Sequence, residues 1–126
     1  MNPLLQKAAR WYFRRLIPAR LAAGDLCSVK SGREFGVVKV LVVERDLVHV
    51  RSYREKFRER PIGGISSTRL SLGSINDPGG FGVGHLPLSL STFGSWVPKR
   101  IESEPVTDDE LDGFRAWQEY KGGVWN

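Results

Sequence analysis

Residues 24–53 read GDLCSVKSGREFGVVKVLVVERDLVHVRSY, and this stretch contains three strand-like runs joined by two short turns. The middle run, residues 35–44, is rich in valine, which favours extended backbone, and apolar residues occupy both of its faces. We therefore expect it to be a central strand. In the third run, His49 and Arg51 alternate with two valines, and the alternation predicts that both point outward. The outer runs and the turns span residues 26–30, 31–33, 45–46 and 47–53.

Helical patterns flank these strands. Residues 1–17 have a proline at a favourable first helical position and repeat apolar side chains at helical spacing. Residues 107–121 begin with Thr107 and Glu110 at the spacing of a capping box, and then repeat apolar residues every three to four positions. The intervening chain is expected to form a β core over 24–72, with short strands at 62–67 and 68–72, and an ordered loop region over 73–105 with a helical turn near 91–96.

These elements predict one α+β domain over residues 1–126. The expected architecture is a small curled antiparallel sheet of about five strands, flanked by an N-terminal and a C-terminal helix. The composition agrees with a globular protein, since 40% of the residues are hydrophobic and 26% are charged. A chain of this length can bury a core without help from metals or disulfides.

The net charge of +5 is unevenly distributed along the chain. Residues 1–23 contain five bases and no acid, whereas residues 99–126 contain seven acids and four bases. Such asymmetry is typical of attraction to nucleic acid or another anionic surface, and it also suits a basic N-terminal segment that pairs with an acidic tail. The single cysteine, Cys27, cannot form an intramolecular disulfide, so a cytoplasmic location is expected. No apolar run has the roughly 18 residues of a membrane span.

The residue inventory argues against most enzyme classes. One cysteine and two histidines, at positions 27, 49 and 85, do not supply a metal-ligand cluster, so no metal or other cofactor is expected. The glycine-rich residues 79–84 lack the Lys-Ser/Thr ending of a phosphate-binding loop. Cys27 lies within a strand pattern, where a buried thiol is the common case. No catalytic residue is predicted, and an uncharacterised enzyme that uses His85 is the third alternative for function.

The sequence GDLCSVKSGREFGVVKVL resembles the KOW motif of ribosomal and transcription-elongation proteins, and the resemblance covers residues 24–50. It implies that the sheet closes into an SH3-like β-barrel whose loops contact RNA. In that case Tyr53 or Phe57 would stack on a base. Glutamates interrupt the basic patch, and a mixed-charge surface of this kind also suits a protein partner. The phosphate contacts would come from Lys30, Arg33, Arg51, Arg54, Lys56, Arg58 and Arg60.

The whole chain also resembles small bacterial immunity proteins, which neutralise toxins. The resemblance rests on Gly24-Asp25-Leu26, on His85 to Leu88, on Phe93 to Trp96 and on the tail ELDGFRAWQEYKGGVW. It implies a non-enzymatic module that binds another protein, and nucleic-acid binding is the alternative. Aromatic and arginine side chains are common anchors of protein interfaces. The predicted binding residues are Arg51, Tyr53, Arg54, Lys56, Phe57, Arg58, Arg60, His85, Trp96 and Trp125.

Overall fold

The structure of the protein, a computed structural model, describes residues 21–124. Within them, five strands form one antiparallel sheet in the spatial order β4-β3-β2-β1-β5. Two short helices and two single turns of 3₁₀-helix complete an α+β architecture. The strands are β1 (Asp25–Ser31), β2 (Glu34–Val43), β3 (Leu47–Ser52), β4 (Val83–Ser89) and β5 (Lys99–Ser103); the helices are α1 (Leu90–Ser95) and α2 (Asp112–Glu119); the 3₁₀ turns are Ser67–Arg69 and Asp109–Leu111.

The first three strands confirm the prediction for residues 24–53. The β1–β2 turn contains Gly32 at φ +63°, a left-handed conformation that glycine adopts without strain. The β2–β3 turn has no glycine and is closed by the Glu44 N–H, which donates to the Leu47 carbonyl at 2.9 Å. β2 is the middle strand of the sheet, and its side chains are buried on both faces. The valine-rich run therefore has the central position that its composition predicts.

One face of the sheet carries the main apolar core. Helix α1 follows β4 directly and places Phe93, which is fully buried, against this face. The half-buried Trp96 packs on the same core, with its ring centroid 6.3 Å from that of Phe93. The other buried members are Cys27, Val29, Val38, Val40, Val48, Val50 and Leu88.

The opposite face of the sheet is both apolar and polar. At one end, Leu26, Val37 and Tyr53 form a smaller buried cluster, which we call the second cluster. Elsewhere the same face buries Lys39 and His49, whose exposed fractions are 2% and 0%. Because burial of polar side chains without partners is unfavourable, a polar cover is required here. The segment that follows β5 supplies it.

That segment confirms the predicted capping box. The Glu110 N–H donates to the Thr107 hydroxyl at 3.3 Å, and the Thr107 N–H donates to Glu110 Oε1 at 2.8 Å. The helix predicted over 107–121 is shorter and divided, since a 3₁₀ turn at Asp109–Leu111 precedes α2. The helix predicted over residues 1–17 lies outside the described residues.

Three other predictions are wrong. Strands were expected at 62–67 and 68–72, but this stretch is an irregular segment with one 3₁₀ turn. The region 73–105 was expected to be a loop with a helical turn near 91–96; α1 confirms the helical turn, but the region also contains the strands β4 and β5. β4 escapes prediction because Gly84 and Pro87 interrupt its pattern, and the edge of a sheet tolerates such residues. No ladder joins β4 to β5 among residues 21–124, so the sheet is open and the expected SH3-like barrel is not formed there.

Neither helix in this part of the chain combines the length and the apolar character needed to cross a membrane.

Candidate functional site

A groove of about 380 Å³ lies beside the second cluster. Its floor is apolar, because Phe57, Ile65 and Leu70 pack against that cluster with their outer surfaces towards the groove. Its rim is charged. We call this feature the 55–70 groove, and its lining residues are Glu55, Lys56, Phe57, Gly64, Ile65, Ser66, Arg69 and Leu70.

Carboxylates hold one wall of the groove in place. The Gly64 N–H donates to Glu102 Oε1 at 3.0 Å, and the Ser67 N–H donates to Glu104 Oε1 at 3.0 Å. The Ser67 hydroxyl also donates to the second oxygen of Glu104. Both glutamates belong to β5 or the residue after it. Backbone N–H groups of Gly64 and Ser67 thus donate to glutamate side chains, whereas the carbonyls of Ser71 and Leu72 accept from the N–H groups of Arg54 and Gly82. Residues 61–72 form no regular strand ladder.

The third carboxylate that holds this segment belongs to Glu55, which itself lines the groove. Its carboxylate accepts the Ser71 N–H at 2.9 and 3.0 Å and the Ser71 hydroxyl at 2.8 Å. Burial alone would raise the pKa of Glu55, but the hydrogen bonds from Ser71 outweigh it and hold the pKa below its ordinary value. The Glu55 carboxylate is therefore ionised at neutral pH, and it is already hydrogen-bonded to the N–H and the hydroxyl of Ser71.

Phe57 is fixed by pairing with the start of β2. Its N–H and carbonyl exchange hydrogen bonds with those of Phe35, each at 2.8 Å. This isolated bridge aligns the segment after β3 beside the sheet and sets the Phe57 ring into the groove floor. Phe57 therefore lines the groove, and its role as a contact residue stays a prediction.

Three arginines of the predicted phosphate-binding patch have intramolecular partners. Arg51 Nη1 lies 3.6 Å from Glu110 Oε2, and Arg54 Nη1 lies 3.1 Å from Asp77 Oδ2. Arg60 donates to the Ser28 hydroxyl at 2.9 Å and to the Val97 carbonyl at 3.0 Å, and its guanidinium stands 4.8 Å from the centroid of the Phe35 ring. These side chains fasten loops to the sheet, so they do not form a continuous cationic surface.

The remaining predicted binding residues lie in different places. Tyr53 is only 4% exposed and belongs to the second cluster, where burial raises its pKa to about 12. It cannot stack on a base without unpacking, so that prediction is wrong. Lys56 and Arg58 are exposed, and Lys56 lines the groove. Trp96 packs on the main core, and Trp125 lies outside the described residues.

His85 belongs to a chain of three polar side chains, in which His49 is fully buried, His85 is half-buried and Glu44 is exposed. His49 Nδ1 lies 2.9 Å from His85 Nε2, and His49 Nε2 contacts Glu44 Oε1. The two imidazoles stack with their centroids 5.1 Å apart. Helix α2 covers them with Phe114 and Trp117, whose rings meet His49 edge-on at 4.8 and 4.6 Å. We call this group the His–His–Glu chain.

The sequence did not reveal this chain, because strand alternation predicted that His49 points outward. It does point away from the main core, but α2 covers that face and leaves His49 fully buried. Glu44 lies seven residues before Arg51, the nearest predicted binding residue, and was not itself predicted as a site residue. A covered second face has no local signal in a strand sequence, since alternation reports only which residues share a face.

The protons of the chain are constrained by Glu44. With Glu44 Oε1 as the acceptor, His49 Nε2 is the donor, and the single proton between the two imidazoles belongs to one of them. Burial lowers the pKa of His85 to about 4, and the neighbouring His49 adds to this. His85 is therefore neutral at neutral pH. The rings of α2 cover the chain, and its geometry is that of an internal hydrogen-bonded support.

A second polar network lies on the same face. Lys39 Nζ donates to Glu110 Oε1 at 3.0 Å and to the Pro105 carbonyl at 2.8 Å. Burial opposes ionisation of Glu110, but hydrogen bonds from Thr107 and Lys39 keep its pKa below the ordinary value. This ion pair joins the middle of β2 to the start of the C-terminal segment. It performs a structural task, because both partners are at least nine-tenths buried.

Other chemistry receives little support from residues 21–124. They contain no group of three or more histidine, cysteine or acidic side chains arranged to hold a metal ion. Cys27 is fully buried, and burial together with the charge of Asp25 raises its pKa to about 12, so its reactive thiolate form is scarce. The 55–70 groove is therefore the best candidate for a functional surface.

Comparison of the chain with protein-family models, with curated proteins and with solved structures finds no match.

Proposed function

We propose that this protein is a non-enzymatic binding module that engages a protein partner through the 55–70 groove. The observation that carries the proposal is the groove itself, with an open apolar floor between charged walls that are already fixed. Protein interfaces combine such a desolvated centre with a polar rim. A preorganised surface also binds at a lower entropic cost than a mobile loop.

The neutralised arginines favour a protein partner over a nucleic acid. Binding to phosphates draws on cationic groups that can exchange their counterions. Arg51 and Arg54 are instead paired with acids, and Arg60 is bonded to backbone and hydroxyl oxygens. Exposed bases remain at Lys30, Arg33, Lys56 and Arg58, so salt-dependent RNA binding by these four is the alternative proposal.

Because the chain resembles bacterial immunity proteins, the partner that we propose is a toxin. A toxin neutraliser acts by covering a surface of its target, and a rigid groove suits that task. The same proposal places the protein in the cytoplasm, where a chain with one buried thiol and no disulfide is stable.

The proposal is tested by affinity capture with the full chain from a nuclease-treated lysate of the source cells. The wild-type protein is compared with Ile65→Arg, which puts a charge on the groove floor, and with Lys99→Glu, an exposed change on β5 outside the groove. We expect a protein that is retained by the wild type and the β5 variant and lost by the groove variant.

Loss of capture by Ile65→Arg could also result from a folding defect, so a second measurement uses only the wild-type protein. Hydrogen–deuterium exchange of the wild-type complex should show slower exchange in residues 55–70 than in the free protein. Capture that is unaffected by Ile65→Arg, with no protection of residues 55–70, would contradict the proposal. Retention that disappears on nuclease treatment would favour the RNA alternative.

A further inference from the structure

We infer that the 55–70 groove recognises an extended segment of the partner in which an apolar side chain is flanked by carboxylates. This inference rests on the proposed function and names the chemistry of the ligand. It follows from three properties of the groove: its size, the side chains that can still accept or donate at its rim, and the rigidity of its wall.

The size of the groove selects a short segment. A volume of about 380 Å³ is near the lower end of the range for ligand pockets, roughly 300–1,000 Å³. One or two side chains fill such a space. Its floor of Phe57, Ile65 and Leu70 offers carbon surface only, so the inserted side chain is apolar, as in an aliphatic or aromatic anchor.

The charges at the rim select acidic neighbours for that anchor. The groove is lined by two bases and one acid, and the acid, Glu55, already accepts the N–H and the hydroxyl of Ser71. The cations are Lys56 and Arg69, which are both exposed and line the groove. A guanidinium matches a carboxylate with two parallel hydrogen bonds, and an ammonium provides a second point charge.

The rigidity of the wall favours an extended backbone in the ligand. Three glutamate carboxylates accept backbone N–H groups of the wall from Gly64 to Ser71 at 2.9–3.0 Å, and these hydrogen bonds favour its observed course. A groove with charges on its rim and an apolar floor is complementary to a strand-like segment, whose successive side chains alternate between floor and rim.

The inference is tested by selecting from a random heptapeptide library displayed on phage, with the immobilised full chain as the target. We expect enrichment of peptides with aspartate or glutamate next to leucine, isoleucine, methionine or phenylalanine. The best peptide is then synthesised with a fluorophore, together with a counterpart in which asparagine and glutamine replace its acids. Fluorescence anisotropy should give at least tenfold weaker binding for the neutral counterpart.

Charge reversal on the protein provides the matched comparison. Lys56→Glu/Arg69→Glu should weaken binding of the acidic peptide at least tenfold, whereas Arg45→Glu/Lys99→Glu, with the same change in net charge at exposed sites outside the groove, should change it less than twofold. All four positions are exposed, so the two double variants are expected to fold, and thermal unfolding checks this.

The outcomes separate this inference from the proposed function. Enriched peptides that are apolar but lack acids, and that Ile65→Arg abolishes, would overturn the inference and leave the groove as a protein-binding site. A selection that enriches no motif would overturn the inference. The proposed function would be overturned only by capture that Ile65→Arg leaves unaffected, together with no protection of residues 55–70. Equal loss of peptide binding in both double variants would also overturn the inference, because such a loss indicates non-specific electrostatic attraction.

Discussion

Acidification should destabilise the protein through His85 before it affects the carboxylates. The pKa of His85 is lowered from 6.5 to about 4 because the ring is partly buried and lies beside His49. A histidine whose pKa is lower in the folded than in the unfolded chain binds fewer protons when folded. Its contribution to stability is therefore complete above pH 6.5 and is lost as the pH falls towards 4.

The size of the effect follows from these two pKa values. Between pH 7.5 and pH 5 the linkage relation gives a loss of about 2 kcal/mol in the free energy of unfolding. Because the His85 ring is only half-buried, screening by water reduces this to about 1–2 kcal/mol. The acids with lowered pKa values, Glu55, Glu104 and Glu110, lose their contributions below this window.

Urea unfolding at pH 7.5, 6.5, 5.5 and 5.0 measures the effect, with His85→Gln as the comparison. Glutamine can still hydrogen-bond to His49 Nδ1 but does not titrate. We expect the wild type to lose about 1–2 kcal/mol more than His85→Gln across this range, with equal m-values. Equal losses in the two proteins would refute the assignment to His85.

Three further results are expected. Lys39→Met should cost about 3 kcal/mol, because it leaves Glu110 buried without its closest cation, and the double variant Lys39→Met/Glu110→Gln should be more stable than Lys39→Met in urea unfolding. Cys27 should not react with a thiol reagent within minutes in the native protein, and denaturant should expose one thiol per chain. Gly82→Ala should cost about 2–3 kcal/mol in urea unfolding, since its Cβ would lie 2.1 Å from the Ser52 carbonyl oxygen.

Each of these has its own control. Gly123→Ala meets no atom within 4 Å and should change stability by less than about 0.5 kcal/mol. If Gly82→Ala were equally harmless, the close approach of β4 to Ser52 would be disproved. Rapid native labelling of Cys27 would contradict its burial. If the double variant Lys39→Met/Glu110→Gln were less stable than Lys39→Met, an uncompensated Glu110 charge would not explain the loss of stability in Lys39→Met.

The candidate site was predictable only in part. The sequence placed Lys56 and Phe57 in a charged and aromatic segment of the working surface, and both line the groove. Ile65, Arg69 and Leu70 could not be assigned, because they lie in an irregular segment whose position depends on glutamates some 35 residues later in the chain. The pairing of Arg51 and Arg54 with acids could not be predicted, since a charge in a sequence does not reveal whether an acid will stand beside it.

By itself the sequence determined the three central strands, the capping box and the absence of an intramolecular disulfide. These depend on residues close together in the chain, through the alternation of side chains, the preference of valine for extended backbone, and turn or cap chemistry. Only the tertiary structure decided that no ladder joins β4 to β5 within residues 21–124, that His49 is buried beneath α2, and that Arg51 lies beside Glu110. The physical reason is that burial and charge pairing are made by contacts between distant segments, for which periodicity carries no information.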